Sequence, residues 1–210
     1  MSVFDQVSAE RVVAVLVIDR EEDAVPLAEA LLKGGVRVME LTLRTEAAMG
    51  ALRQIRAAVP EMIAGIGTIL TTDQVKEVRD ADAAFGVSPG LNESVLETAQ
   101  EVGLPFAPGI VTPSDIERSL RFGCKILKFF PAEPSGGLKY LDAIAVPYHH
   151  LGLTYMPLGG VHLGNMSDYL ANPSVAAIGG SWIAKRDLIQ EHQWAQITAN
   201  AQEAVANVVR

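Results

Sequence analysis

The sequence predicts an α/β protein whose single domain is a (β/α)8 TIM barrel with short loops. Eight apolar segments recur along the 210 residues, and most are continuous runs, as in parallel strands that are buried on both faces. A segment with helical character follows each of them, which gives eight strand–helix units. No Ser/Pro-rich linker or low-complexity segment separates these units, so we expect residues 1–210 to form one domain.

Each predicted element rests on a particular stretch of sequence. In chain order the predicted strands are VVAVLVID (12–19), VRVMELTL (36–43), MIAGIGTI (62–69), AAFGVSP (83–89), PFAPGIV (105–111), KILKFFP (125–131), TYMPLGG (154–160) and VAAIGGSW (175–182). The predicted helices cover residues 22–33, 45–58, 72–81, 92–102, 113–122, 137–145, 165–171 and 187–208. The glycine pair at 34–35 suits a helix C-cap, and Thr72 and Asn92 stand where N-caps belong.

An open, doubly wound sheet is the alternative arrangement of the same elements. Such sheets often bind dinucleotides through a Gly-x-Gly-x-x-Gly turn after the first strand, and this chain has no such turn there. We therefore favour the barrel, in which functional residues lie at the carboxyl ends of the strands.

The composition restricts the partners of the protein. The formal net charge is -8, the pI is near 5.0, and no cluster of basic residues stands out. Nucleic-acid phosphates require concentrated Lys and Arg, so we expect no nucleic-acid partner. An acidic protein can still hold a phosphorylated small molecule at a local site.

The N-terminal region and the cysteine content predict a cytoplasmic protein. The apolar run at 12–19 is too short to span a membrane, and no basic segment precedes it, so we expect no membrane partner. Cys124 is the single cysteine, which excludes an intramolecular disulfide and gives no sign of an oxidising compartment. No histidine is near Cys124 in sequence, so we expect a half-buried filler and not a nucleophile.

Alternation along the second predicted strand separates two faces. One face carries Val36, Val38, Glu40, Thr42 and Arg44, and the other carries Met39, Leu41 and Leu43. The wholly apolar face should pack on the helices, so Glu40 and Arg44 should lie in the mouth of the barrel. In the sixth predicted strand, Lys128 shares a face with Ile126 and Phe130. If that face also points inward, Lys128 can meet Glu40.

Lys128 is the most informative residue, because lysine is rarely buried unless it is paired. Of the six lysines it alone lies inside an apolar run, and the others stand at helix, loop or strand-end positions and should be solvated. Desolvation favours the neutral amine, which can attack a ketone to form a Schiff base, and Glu40 could then move protons. A carboxylate also favours the charged amine, so a structural ion pair is the alternative.

Other polar and glycine residues end the predicted strands. Arg44 offers a planar fork for a substrate carboxylate. The last two strands end in glycine pairs, and barrels often bind phosphate at these loops through backbone N–H groups. The phosphate candidates are Gly159, Gly160, Gly179, Gly180 and Ser181. Ordinary turns are the alternative for these glycines, and also for Thr68 and Pro89, which are further candidates for the mouth.

The sequence gives no indication of a metal site. The four histidines, His149, His150, His162 and His192, show no metal-ligand spacing with acidic partners. We therefore expect no metal and no other cofactor. Trp182 and Trp194 are expected in the core or at an interface.

Six motifs, in order, resemble the 2-keto-3-deoxy-6-phosphogluconate (KDPG) aldolases, also called 2-keto-4-hydroxyglutarate (KHG) aldolases. They are GGVRVMELTLRTE (34–46), GIGTIL (65–70), VSPGL (87–91), PGIVTPSDI (108–116), LKFFPAE (127–133) and IGGSW (178–182). The resemblance covers nearly the whole chain, and six ordered motifs make it specific.

The resemblance implies a class I pyruvate aldolase on a (β/α)8 barrel, usually a homotrimer. It implies Lys128 as the Schiff-base lysine and Glu40 as the acid/base. The other matched positions are Arg44 and Thr68 at the substrate carboxylate, Pro89 and Phe130 in the lining, and Gly159, Gly160 and Ser181 at the substrate phosphate.

The resemblance also implies the substrates. The family's enzymes cleave KDPG into pyruvate and glyceraldehyde 3-phosphate, the last step of the Entner–Doudoroff route, and many cleave 4-hydroxy-2-oxoglutarate into pyruvate and glyoxylate. The family usually has Pro-Thr-Gly-Gly before its phosphate loop, whereas this chain has PLGG, so Leu158 offers no hydrogen bond to the substrate. At the next helix start VHLGN replaces a more typical Ser-Pro pair, so His162 is close to the phosphate loop and is either a weak anion contact or a helix-start residue. Preference among KDPG, its phosphogalactonate epimer and KHG stays open.

Two other classes of function fit the same barrel. A phosphosugar isomerase or epimerase would use the phosphate loops together with carboxylate or metal-bound acid/base groups. A non-catalytic barrel would bind its ligand without turnover. The joint presence of Lys128, Glu40 and Arg44 argues against both.

Overall fold

The computed structural model describes residues 1–208 and alternates short strands with helices. The strands are β1 (Val12–Leu16), β2 (Val38–Thr42), β3 (Ile63–Gly67), β4 (Gly86–Val87), β5 (Phe106–Ala107), β6 (Gly109–Ile110), β7 (Ile126–Phe129), β8 (Thr154–Pro157) and β9 (Ile178–Gly180). The helices are α1 (Val3–Glu10), α2 (Ala24–Lys33), α3 (Ala47–Ala58), α4 (Thr72–Asp80), α5 (Glu93–Glu101), α6 (Pro113–Leu120), α7 (Gly137–Ala145), α8 (Met166–Ala171), α9 (Arg186–Gln190) and α10 (Trp194–Ala206). Short 3-10 turns lie at Glu21–Asp23, Glu133–Ser135 and Val146–Leu151.

The strands form two curled, parallel sheets. Six strands pair in the order β5-β4-β3-β2-β1-β9, and three pair in the order β6-β7-β8. Two isolated parallel bridges, Tyr155 to Val175 and Leu158 to Gly179, join the second sheet to the segment that contains β9. The α/β class and the parallel pairing expected from the apolar runs are therefore present.

The predicted strand at 105–111 is divided into two segments. Pro108 separates β5 from β6, and a proline has no N–H to donate to a strand ladder. Its carbonyl still accepts a hydrogen bond from the backbone N–H of Lys128 at 2.9 Å. This division turns eight predicted strands into nine observed ones.

Two apolar clusters occupy the two faces of the sheets. The inner cluster contains Val7, Val13, Val38, Phe85, Val87, Ala107, Ile126, Met156, Leu158, Ala176 and Ala177. Met39 and Leu41 belong to the outer cluster, which packs between the strands and the helices, as alternation along β2 predicts. Val36 was expected on the inner face, but it lies before β2 begins and packs in the outer cluster.

Helix α1 was not predicted from the sequence, although its start carries a capping box. The Ser2 hydroxyl accepts a hydrogen bond from the Asp5 backbone at 3.1 Å, and the Asp5 carboxylate accepts one from the Ser2 backbone at 2.7 Å. Val7 and Phe4 of this helix pack into the inner cluster from the amino ends of the strands. The helix therefore contributes to the core and fills the end opposite the predicted site.

Two of the predicted helices differ in detail from the observed ones. The N-cap of α4 is Thr71, one residue before the predicted Thr72, because Thr71 forms the capping box with Gln74. Asn92 caps α5 and Gly34 ends α2, as predicted. The predicted helix at 187–208 is two helices, α9 and α10, which are separated where His192 has a φ of 56°. Among residues 1–208, no helix has the length and apolar character needed to cross a membrane.

Candidate active site

A cavity of about 320 Å³ opens at the carboxyl ends of the strands. The twelve residues predicted for the site all line it: Glu40, Arg44, Thr68, Pro89, Lys128, Phe130, Leu158, Gly159, Gly160, Gly179, Gly180 and Ser181. Val15, Thr42 and Val161 line the cavity as well and were not among the predicted site residues. Thr42 was detectable, because it shares its strand face with Glu40. Val161 directly follows the Gly159–Gly160 pair, whereas only the pairing of β1 with β2 brings Val15 beside Glu40.

A second cavity, about 510 Å³, is larger but lies at the amino ends of the strands beside α1. Its lining includes Phe4, Cys124 and Lys125 and none of the twelve predicted residues. Size alone therefore does not identify the functional site. The smaller cavity is the better candidate because it holds a buried charged pair.

That pair is Lys128 on β7 and Glu40 on β2. The Lys128 Nζ donates a hydrogen bond to Glu40 Oε1 at 2.8 Å, and the two side chains are 6% and 1% exposed. The other five lysines, at 33, 76, 125, 139 and 185, are all exposed. Two buried charges in contact satisfy the rule that a buried ion requires a partner. The structure thus brings together the two residues expected to meet inside the sheet.

The second carboxylate oxygen of Glu40 has no hydrogen-bond partner among the described residues. A buried acceptor without a partner costs stability, so such atoms often mark functional positions. On the other side of the pair, Lys128 Nζ lies 5.3 Å from the centroid of the Phe130 ring. The amine therefore faces a carboxylate and an aromatic face, and one carboxylate oxygen is left for a substrate or water.

Arg44 is held at the rim by Thr42. The Thr42 hydroxyl donates to the carbonyl of Leu16 at 2.9 Å and accepts from Arg44 Nε at 3.1 Å. Arg44 itself is exposed and makes no ion pair with another described residue. Arg44 lines the cavity without an acidic partner among the described residues, as a site for a carboxylate requires.

Thr68 adopts an unusual backbone conformation directly after β3. Its φ is 63°, which is an outlier for a β-branched residue. Such strained residues are concentrated at functional sites. With Pro89, which follows β4, it forms the side of the cavity nearest the ends of those two strands.

The turn after β8 requires glycine at two successive positions. Gly159 and Gly160 have φ values of 91° and 87°. A side chain on Gly160 would also lie 2.5 Å from the Cβ of Glu133, whose backbone N–H donates to the Gly159 carbonyl at 2.9 Å. The turn and the Gly180–Ser181 segment at the end of β9 face the same cavity, which is suited to an oxyanion.

Leu158 and His162 differ in their relation to the cavity. Leu158 is 3% exposed, belongs to the inner cluster and lines the cavity, so this wall is apolar. His162 is exposed, does not line the cavity, and its Nδ1 accepts a hydrogen bond from the Gly164 backbone at 3.0 Å. This contact lies in the turn before α8, as expected if His162 is a helix-start residue and not an anion contact.

The histidines, Cys124 and the two tryptophans do not line the candidate site. Within residues 1–208 no three metal-binding side chains of the His, Cys, Asp or Glu types come together. Burial raises the pKa of the Cys124 thiol to about 11, which suits a filler better than a nucleophile. Trp182 packs against the outer cluster, and Trp194 stacks on His192 with their ring centroids 5.3 Å apart.

Comparisons with known proteins point to one family. A family model described as KDPG and KHG aldolase matches residues 3–200. The 2-dehydro-3-deoxy-phosphogluconate aldolase of Dickeya dadantii is 47% identical over 199 residues, which cover 95% of this chain and 92% of that protein. The KHG/KDPG aldolase of Escherichia coli K12 is 47% identical over 194 residues, covering 92% and 90% of the two chains.

Solved structures agree with the sequence relatives. KDPG aldolase from Legionella pneumophila, with pyruvate captured at low pH as a covalent carbinolamine intermediate, matches with a TM-score of 0.90 and 39% identity over 97% of this chain and 96% of that chain. The aldolase of Zymomonas mobilis ZM4 with 3-phosphoglycerate matches with a TM-score of 0.89 and 37% identity over 99% and 96% of the two chains. On these matches the chain belongs to the KDPG and KHG aldolase family.

Proposed function

We propose that the protein is a class I pyruvate aldolase that cleaves KDPG, with Lys128 as the amine that bonds to the substrate. The observation that carries the proposal is the contact between the buried Lys128 Nζ and Glu40 Oε1 at 2.8 Å. A contact of this length lets the ammonium pass a proton to the carboxylate, and the neutral amine is the nucleophile. The carbinolamine captured in the Legionella relative supports the same chemistry.

The first half of the reaction joins the substrate to the enzyme. The neutral amine of Lys128 attacks the C2 ketone, and a proton moves from nitrogen to oxygen to give the carbinolamine. Glu40, now protonated, returns its proton to the C2 hydroxyl, which leaves as water. The product is an iminium ion, and Glu40 is again a carboxylate. The free Glu40 Oε2 is the oxygen that can serve the next step without breaking the first contact.

The second half breaks the carbon–carbon bond. Glu40 takes the proton of the C4 hydroxyl, directly or through a water, while the C3–C4 bond breaks and its electron pair moves to the iminium nitrogen. The aldehyde half leaves, and an enamine of pyruvate remains on Lys128. Glu40 then gives its proton to C3, and water hydrolyses the new iminium to release pyruvate and the amine. No redox partner is needed, because protons and electrons balance within the cycle.

The other cavity residues would position the two ends of the substrate. Arg44, held by Thr42, and Thr68 would bind the carboxylate beside C2. Gly159, Gly160, Gly179, Gly180 and Ser181 would hold the phosphate of the aldehyde half. Pro89, Phe130 and Leu158 would line the space between these ends.

The substrate range follows from the relatives and from this division of the cavity. KDPG would give pyruvate and glyceraldehyde 3-phosphate, as the last step of the Entner–Doudoroff route. The KHG/KDPG name of the Escherichia coli relative supports a second substrate, 4-hydroxy-2-oxoglutarate, which would give pyruvate and glyoxylate. The apolar Leu158 offers no hydrogen bond that distinguishes hydroxyl configurations, so the phosphogalactonate epimer is the competing substrate.

We propose further that the strands close into one eight-stranded barrel. Pro108 alone separates β5 from β6, so the two segments can act as one strand between β4 and β7. The bridges from Tyr155 to Val175 and from Leu158 to Gly179 support continuity at the other junction. Residues 1–210 would then form a single domain.

The assembly and the location are proposals of the same kind. A homotrimer rests on the family resemblance of the six sequence motifs. A cytoplasmic location rests on the single cysteine, which offers no disulfide for an oxidising compartment. Light scattering of the purified protein measures the mass of the assembly directly.

A coupled assay tests the proposed function. Purified protein is mixed with KDPG and EDTA, and pyruvate is measured through lactate dehydrogenase. We expect steady release of pyruvate that EDTA does not reduce and that Lys128→Met abolishes. The paired variant Lys128→Met/Glu40→Gln removes both buried charges and serves as a folding control. Full pyruvate release by Lys128→Met would rule out the imine mechanism. Binding of KDPG without release of pyruvate would favour an isomerase, an epimerase or a non-catalytic barrel.

A further inference from the structure

The strand beside Glu40 carries two glycines on its inner face. Gly65 and Gly67 stand two positions apart on β3, and the parallel register places Gly65 opposite Glu40 and Gly67 opposite Thr42. A methyl group built on Gly67 would lie 1.9 Å from Glu40 Oε1, 2.6 Å from its Cδ and 2.8 Å from its Cγ. The carboxylate therefore occupies the space that any side chain at position 67 would fill.

The backbone of Gly67 cannot easily move away from this contact. Its carbonyl accepts a hydrogen bond from the Leu43 backbone at 2.9 Å, just beyond the ladder that joins β3 to β2. Contacts closer than about 3 Å must be relieved, and here the flexible partner is the Glu40 side chain. Relief would shift the carboxylate away from its place opposite Lys128.

We propose that Gly67 is a positioning residue for the reaction: its lack of a side chain sets the Glu40 carboxylate against Lys128. The inference rests on the proposed function, in which Glu40 moves the protons. Gly67 itself touches no reacting atom. Its contribution is the space into which Oε1 fits while Oε2 stays free for the substrate.

The proposal predicts a specific kinetic defect in Gly67→Ala. With the carboxylate displaced, kcat for KDPG cleavage should fall about 100-fold, near the low end of what a general acid/base contributes. The KM should change less than threefold, because the three atoms nearest to the added methyl group all belong to Glu40. The pH profile of kcat should also shift, since its limbs report the acid and base in the enzyme–substrate complex.

Gly65→Ala is the matched control on the same strand and face. Its methyl group would lie 2.4 Å from the Phe85 ring in the inner cluster and not beside the carboxylate. For Gly65→Ala we expect a loss of thermal stability similar to that of Gly67→Ala. Its kcat should stay within about threefold of the wild type, and its pH profile should be unchanged. If Gly65→Ala and Gly67→Ala lose kcat equally with no shift in the pH profile, the positioning role is wrong.

A rescue experiment separates the steric contact from general damage. Shortening the acid in Gly67→Ala/Glu40→Asp makes room for the added methyl group, so this variant should have a higher Tm than Gly67→Ala. In the wild-type background, Glu40→Asp should lower the Tm. If Glu40→Asp changes the Tm in the same direction in the wild type and in Gly67→Ala, the proposal is overturned. This cycle needs no activity, so it remains decisive if the wild type fails to cleave KDPG, which would reject the proposed function separately.

Discussion

Lys128 Nζ lies 2.8 Å from Glu40 Oε1, although 88 positions separate the two residues in the chain. β2 and β7 each pair in parallel with their neighbouring strands. This pairing brings the inner faces of β2 and β7 to one cavity. The contact is buried, and the second oxygen of the carboxylate is unpaired among the described residues. The roles of both residues can therefore be tested one at a time.

Glu40→Gln should separate the binding of the keto acid from catalysis. The amide keeps the volume but cannot accept a proton, so kcat should fall about 10²- to 10⁴-fold while pyruvate still reaches Lys128. Steady-state kinetics measure the first quantity, and titration with pyruvate followed by tryptophan fluorescence measures the second. A kcat within threefold of the wild type would remove Glu40 from the mechanism.

Thr42→Val should weaken binding of the carboxylate by releasing Arg44. The valine keeps the shape but cannot accept the Arg44 Nε–H bond, which measures 3.1 Å, so the guanidinium loses its orientation. A hydrogen bond to a charged group contributes about 1.5–3 kcal/mol. Because Thr42 acts on the substrate only through Arg44, we expect a KM about tenfold higher with kcat nearly unchanged. Thr42→Ser retains the hydroxyl and should behave like the wild type. An equal rise of KM in both variants would exclude this role.

Ser181→Ala should affect phosphorylated and unphosphorylated substrates differently. Ser181 lines the cavity beside Gly180, where the phosphate is proposed to bind. Loss of one hydrogen bond to an anion should lower kcat/KM for KDPG about tenfold and leave 4-hydroxy-2-oxoglutarate unaffected. Parallel assays of the two substrates measure the ratio. An equal loss for both would place Ser181 outside the phosphate site.

Leu158→Thr should change the selectivity of the enzyme at some cost in stability. The side chain is 3% exposed within the inner cluster, so replacing it should cost about 1–3 kcal/mol of unfolding free energy. In return, the hydroxyl can bond to the aldehyde half, and the kcat/KM ratio of KDPG to its phosphogalactonate epimer should rise several-fold. Urea unfolding and competition assays measure the two effects. An unchanged ratio would mean that Leu158 does not influence selectivity.

Cys124 should react slowly with thiol reagents. Burial raises the pKa of its thiol from 9.0 to about 11, so the reactive thiolate is about 100-fold scarcer at pH 8 than in a free thiol. The rate should rise with pH until it approaches pH 11. Reaction with Ellman's reagent across pH 7–10 measures the rate and its dependence on pH, with the urea-unfolded protein as the control. Equal rates in the folded and unfolded protein would contradict the burial.

The parts of the structure that follow from apolar runs and from alternating faces along a strand could be predicted from the sequence. The apolar runs predicted the parallel strands, and the alternation along β2 placed Glu40 on the inner face. Lys128 stood out because nothing except a partner explains a lysine inside an apolar run. Both residues singled out in this way, Glu40 and Lys128, line the cavity.

Features that depend on contacts between distant elements could not be predicted in this way. Val15 reaches the cavity only because β1 pairs with β2, and no local signal marks it. Two features outside the predictions did have local signals in the sequence: Pro108, which interrupts a strand, and the Ser2–Asp5 capping box at the start of α1. The role of Gly67 is likewise invisible in sequence, since a glycine in a strand does not reveal which side chain fills the space beside it.

The most direct test of the account is to trap pyruvate on the enzyme with borohydride and locate it by peptide mass spectrometry. The account predicts one added reduced pyruvyl group, on the peptide that contains Lys128, and none in Lys128→Met. A folded, active protein that gains no such mass, or that carries it on one of its five exposed lysines, would contradict the account.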